Sequence, residues 1–104
     1  MTTKEERFYI LVNKIVKVIN NKLSIDITPQ DIIFFDNSKL LASCDSKNRV
    51  LCINKKVLND NVYYQKYAIL YELAHFKYLK HDYRFRMFLD DLQEIIYGKS
   101  IFIL

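Results

Sequence analysis

The chain has 104 residues, 51% of them hydrophobic, with one glycine and one proline, and its 16 basic and 12 acidic residues leave a net charge of +4. That composition excludes a disordered or low-complexity chain, and the length fits a single domain, residues 1–104, built of regular elements around one core. The mild positive charge fits a solvated lysine-rich surface and does not by itself mark a nucleic-acid binder.

Cys44 and Cys52 are too few for a disulfide scaffold, so both are expected as small reduced core residues, in keeping with a reducing cytosol. The charged stretch Met1–Arg7 is followed by no apolar run long enough for a signal peptide or membrane span. A soluble cytoplasmic protein with no membrane partner is the expectation.

From Thr3 to Lys22 the residues Phe8, Leu11, Val12, Ile15, Val16 and Ile19 recur every three or four positions and predict an amphipathic helix. Thr3 with Glu6 forms a capping-box start. Pro29 ends the linking stretch Ser24–Thr28, through which a helix cannot run on. Ile32–Phe35, Leu40–Cys44 and Val50–Ile53 then read as three short strands. Turn-forming clusters at Asp36–Ser38 and Asp45–Asn48 separate them, which predicts a three-stranded, mostly antiparallel sheet.

Asn59, Asp60 or Asn61 can cap the next helix, expected over Val62–Leu79. It is apolar around most of its circumference and is therefore the central, buried helix. A last amphipathic helix carries Phe85, Phe88, Leu89, Leu92, Ile95 and Ile96 and stops at Gly98. The apolar tail Ile101–Leu104 is costly to leave in water, so it is expected to dock on this molecule or to support self-association. The predicted class is α+β: N-terminal helix, small sheet, central helix, C-terminal helix.

The central helix contains Tyr71-Glu72-Leu73-Ala74-His75, one residue away from H-E-x-x-H, with tyrosine in place of the first histidine. Residues four apart share a helix face, so positions 71 and 75 point the same way and Glu72 projects beside them. In H-E-x-x-H zinc peptidases two imidazoles hold the metal, and the glutamate acts as general base on the bound water. The only other histidine of the chain, His81, follows after five residues.

The stretch Glu72–Phe85 resembles that of YgjP-like metallopeptidases, in which H-E-L-A-H is followed after five residues by a third ligand histidine and then by a short segment ending in an aromatic residue. Ser43-Cys44-Asp45-Ser46-Lys47 and Ile53-Asn54-Lys55-Lys56-Val57-Leu58 are similar to the segments that precede the helix in that family. The resemblance covers roughly residues 40–89 of the 104, and SprT-like proteases and minigluzincins share the same helix-sheet-helix core. It implies a compact zincin-like domain with zinc as cofactor, His75 and His81 as metal ligands and Glu72 as general base.

Tyr71 matches the first ligand by position only. A phenol has a pKa near ~10 and a longer reach than imidazole, so the spacing that suits an imidazole is not expected to suit the tyrosine oxygen. Glu94 on the following helix is an alternative third ligand, since gluzincins use a downstream glutamate.

Plainer roles stand beside these. A histidine on a buried helix also serves as a hydrogen-bonded core residue, and one at a helix end as a favourable charge. Lys77, Lys80, Arg84 and Arg86, interleaved with Tyr78, Tyr83 and Phe85, offer charge and stacking for a nucleic-acid strand, or form a solvated face.

Three functions follow. The first is a pseudo-peptidase whose former cleft serves protein or peptide binding or inhibition. The second is an active metallopeptidase with an altered ligand set. The third is a small interaction protein of a mobile element that binds a host protein or nucleic-acid complex.

Overall fold

A computed structural model of the chain describes residues 3–36 and 46–98. Helix α1 spans Lys4–Leu23, close to the predicted limits, and begins with the Thr3 hydroxyl accepting from the Glu6 N–H at 3.1 Å. Its apolar stripe, Phe8, Val12, Ile15, Val16 and Ile19, is buried. Ser24 ends the helix in the left-handed region at φ 53°. The chain then folds back on Asn20, whose side-chain oxygen accepts from the Ile27 N–H at 2.9 Å and whose amide donates to Thr28. One asparagine thus closes the turn that the sequence places before Pro29.

Strands β1 (Asp31–Phe35) and β2 (Val50–Asn54) follow. They pair in parallel, with Asp31 opposite Val50 and Phe35 opposite Asn54. The antiparallel expectation is therefore corrected. Two parallel neighbours need a connection of about a dozen residues or more, and residues 36–49 provide it. The predicted middle strand Leu40–Cys44 lies outside the described residues, among which the sheet has two strands. Leu51 and Ile53 of β2 point into the core. Phe34 of β1 meets the rings of Phe8 and Tyr9 edge-on, and the Tyr9 hydroxyl donates to the Ile32 carbonyl.

Cys52 is disulfide-bonded, which departs from the expectation of a reduced core residue. The other cysteine of the sequence, Cys44, lies outside the described residues, as does the tail Ile101–Leu104.

A 3₁₀ turn, Lys55–Asn59, leads to α2 (Val62–Lys77), capped by the Asn61 side chain, which accepts from the Tyr64 N–H. The helix ends two residues before the predicted Leu79, because Tyr78 turns extended. Helix α3 (Tyr83–Tyr97) starts at Asp82, which accepts from the N–H groups of Arg84 and Phe85, and stops at Gly98, whose φ of 79° suits a residue without Cβ. Helix α2 is central as predicted: it contacts α1, α3 and β2.

Its Ile69, Leu70, Leu73 and Ala74 join Phe8, Val12, Leu51, Phe88 and Leu92 in one buried cluster among the described residues. Each large side chain there contributes roughly 1.5–3 kcal/mol on burial. The result is an α+β fold of three helices and a two-stranded parallel sheet among the described residues. No helix among them is long and apolar enough to cross a membrane.

Candidate functional site

Three rings converge at the C-terminal end of α2. Tyr71 and His75 lie one helical turn apart on a shared face, while His81 returns to them from the short segment between α2 and α3. The Tyr71 Oη stands 2.7 Å from His81 Nε2, and His81 Nε2 stands 2.8 Å from His75 Nε2. The phenol oxygen of Tyr71 is thus within hydrogen-bond distance of the His81 ring. Its extra length is matched by His81, which comes from a different segment and is not bound to the helical spacing.

The protons in this cluster can be assigned in part from hydrogen-bonding capacity. His75 Nδ1 lies 3.2 Å from the Tyr78 carbonyl, which only accepts, so Nδ1 carries the hydrogen and neutral His75 presents the Nε2 lone pair to His81. Burial holds the His75 pKa below its ordinary value, against the raising effect of the Tyr78 carbonyl and together with the lowering effect of His81. His81 Nε2 then faces two partners. If it accepts from the Tyr71 hydroxyl, its lone pair opposes that of His75 at 2.8 Å; if it carries a hydrogen, that hydrogen is shared between His75 and Tyr71.

Phe85, the third residue of α3, is buried beneath all three rings, with centroids 4.5 Å from His75, 4.9 Å from His81 and 5.3 Å from Tyr71. In the sequence it is one more apolar position of α3, and nothing in the helical pattern marks it as the floor of the site. The available signals are its place as the aromatic residue that ends the stretch Glu72–Phe85 and its position three residues after Asp82, whose cap orients the start of α3. The Asp82 carboxyl is held below the usual range by the Phe85 N–H first, with Arg84 adding to it.

Glu72 lies beside this centre on α2. Burial pushes its carboxyl up to about 7. Its charge in turn reaches Tyr71, whose hydroxyl is raised by burial first and by Glu72 second. Glu94 is exposed on α3. Among the described residues no three His, Cys, Asp or Glu side chains gather as a metal-holding group, so Glu94 does not join His75 and His81.

Two imidazoles are ordinary zinc ligands in type, and the phenol of Tyr71 would have to ionise to serve as a third. Ligand atoms at about 2.0–2.1 Å from a tetrahedral zinc stand about 3.3 Å apart. The observed 2.7 and 2.8 Å are hydrogen-bond distances, about half an ångström tighter.

Of the predicted basic group, Lys77 lies over the rings of Tyr78 and Phe88, and Arg84 lies over Tyr78 while pairing with Asp82 at 3.2 Å. Lys80 and Arg86 are exposed. Two of the four cations thus pack on one aromatic ring beside the site.

Comparison with family models, with curated proteins and with solved structures returns no match.

Proposed function

We propose that the protein is a small zinc-dependent peptide hydrolase with an altered ligand set, in which Tyr71, His75 and His81 hold the metal and Glu72 is the general base. The observation that supports this reading is the contact of His81 Nε2 with both the Tyr71 hydroxyl and His75 Nε2 at the end of α2. The resemblance to YgjP-like and SprT-like peptidases supports it through the order of Glu72, His75 and His81 in the chain.

Zinc, when bound, supplies the Lewis acidity that makes water a nucleophile near neutral pH. Glu72 takes the proton of the attacking water and delivers it to the departing amine nitrogen of the scissile bond, so the carboxylate returns to its starting state. A largely buried carboxyl beside the ligands is suited to hold that proton for the time between the two steps. His75 is positioned by the Tyr78 carbonyl, and Phe85 excludes water from the inner side of the three rings.

One observation favours a second reading, a pseudo-peptidase whose cleft binds a protein or peptide without cutting it. Burial and the Glu72 charge both oppose ionisation of Tyr71, which a metal must reverse to gain a phenolate ligand.

The two readings part in one experiment. Zinc-loaded protein is incubated with casein, with and without chelator, beside the variant Glu72→Gln. Chelator-sensitive cleavage that Glu72→Gln abolishes while zinc stays bound supports the hydrolase; absence of zinc binding or of cleavage overturns it and leaves the pseudo-peptidase.

A further inference from the structure

An open groove of about 610 Å³ lies between α1 and the start of α2 and shares no residue with the Tyr71 centre. One wall is α1, where Lys4, Arg7, Ile10, Leu11 and Lys14 recur at three- and four-residue spacing and so stand in a line. The facing wall is the turn Leu58–Asn61 with Val62 and Gln65. That wall is held in place: the Gln65 amide donates to the carbonyls of Val57, Leu58 and Asp60, and the Lys4 ammonium donates to the Asn59 side chain across the groove.

Two properties define what would fill it. Ile10 and Val62, on opposite walls, are 47% and 55% exposed, which leaves large aliphatic surface in water on both sides of one concavity. The ionic groups of the lining are Lys4, Arg7 and Lys14 against Asp60, an excess of positive charge. Among the described residues no aromatic side chain lines the groove, so the bases of a nucleic-acid strand find no ring there to stack on.

We infer that this groove is a docking site for an acidic peptide segment bearing aliphatic side chains, its carboxylates meeting Lys4, Arg7 and Lys14 and its aliphatic residues covering Ile10 and Val62. Such a segment matches both the charge and the apolar floor.

The test is fluorescence anisotropy with the full chain and a labelled twelve-residue peptide of glutamate, leucine and alanine, at low salt. A peptide with lysine for glutamate and a labelled single strand of thymidines serve as comparisons. The acidic peptide should bind, and the triple variant Lys4→Ala, Arg7→Ala, Lys14→Ala should weaken it roughly ten-fold. Val62→Ser should weaken it with the charges intact, and circular dichroism should show both variants folded. Failure of the acidic peptide to bind, equal binding by the folded triple variant, or tighter binding of the thymidine strand or the lysine peptide would overturn the inference.

Discussion

Replacing Tyr71 with phenylalanine removes a single oxygen and keeps the ring that packs on Phe85, which makes it the sharpest probe of the centre. What disappears is the hydrogen bond of 2.7 Å to His81 Nε2. Because His81 is exposed, that bond contributes about 1 kcal/mol or less in metal-free protein. The melting temperature of chelator-stripped protein should therefore fall by no more than about 4–8 °C.

The response to zinc should change far more. With free zinc at about 100 times the dissociation constant, binding to the folded form adds about 2.7 kcal/mol, or roughly 11–22 °C in a domain of this size. Loss of a mere outer-shell partner weakens metal sites by up to about 100-fold, so loss of a ligand should do at least that. The same zinc concentration then stands near the dissociation constant of the variant, and the stabilisation drops to about 0.4 kcal/mol, or about 2–3 °C. Differential scanning fluorimetry on stripped protein, with and without zinc, reads both numbers, with His75→Ala and His81→Ala as controls. A Tyr71→Phe chain that keeps the wild-type zinc shift would refute the phenol as a ligand, and a wild-type chain with no shift would refute the centre.

Phe85→Ala should cost about 3–5 kcal/mol in urea unfolding, a large share of the ~5–15 kcal/mol available to a domain, because the ring is buried under Tyr71, His75 and His81. Asp82→Ala removes the cap of α3 and should lower the urea midpoint clearly, whereas Arg84→Ala, which removes the exposed pair with Asp82 and the contact with the Tyr78 ring, should lower it less; equal shifts would show that the Arg84 side chain, not the cap, carries the effect. Glu72 gives a pH test in chelator-treated protein. Its folded pKa of about 7 lies above the ordinary carboxyl value of 4.5, so the unfolded chain releases the proton first and stability falls as pH rises across that window, by up to about 3 kcal/mol. Glu72→Gln should lose that fall, keep the rise toward neutral pH that the lowered pKa of His75 contributes, and be more stable than the wild type above neutral pH; a wild-type profile that parallels that of the variant would contradict the burial of the carboxyl.

What the sequence discloses, and what it conceals, divides along the range of the interactions. Helix α1 is legible because its stripe and the Thr3–Glu6 cap are both written within a few residues. The segments Ile32–Phe35 and Val50–Ile53 are legible as strands for the same reason. Their parallel pairing is not, since alternation says which face a side chain takes but not which way a distant neighbour runs. The end of α2 falls between these cases: the apolar pattern runs on to Leu79, yet Tyr78 leaves the helix and its carbonyl meets His75 instead.

The same division limits what the sequence says about the surroundings of the tyrosine. Helical spacing places Tyr71 and His75 on one face, and from that alone a phenol overshoots the point an imidazole would reach. The missing quantity is where His81 stands, which depends on the extended exit at Tyr78, the Asp82 cap and the Phe85 floor, none of them part of the helix. Because His81 is carried by a separate segment, its contact with the Tyr71 oxygen at 2.7 Å is not readable from the helical spacing. Tyr71→His supplies the converse case: the shorter side chain restores the motif but withdraws from His81, so zinc binding by that variant requires His81 to move inward, a change that the ring-stacking shifts of Phe85 in an NMR spectrum would register.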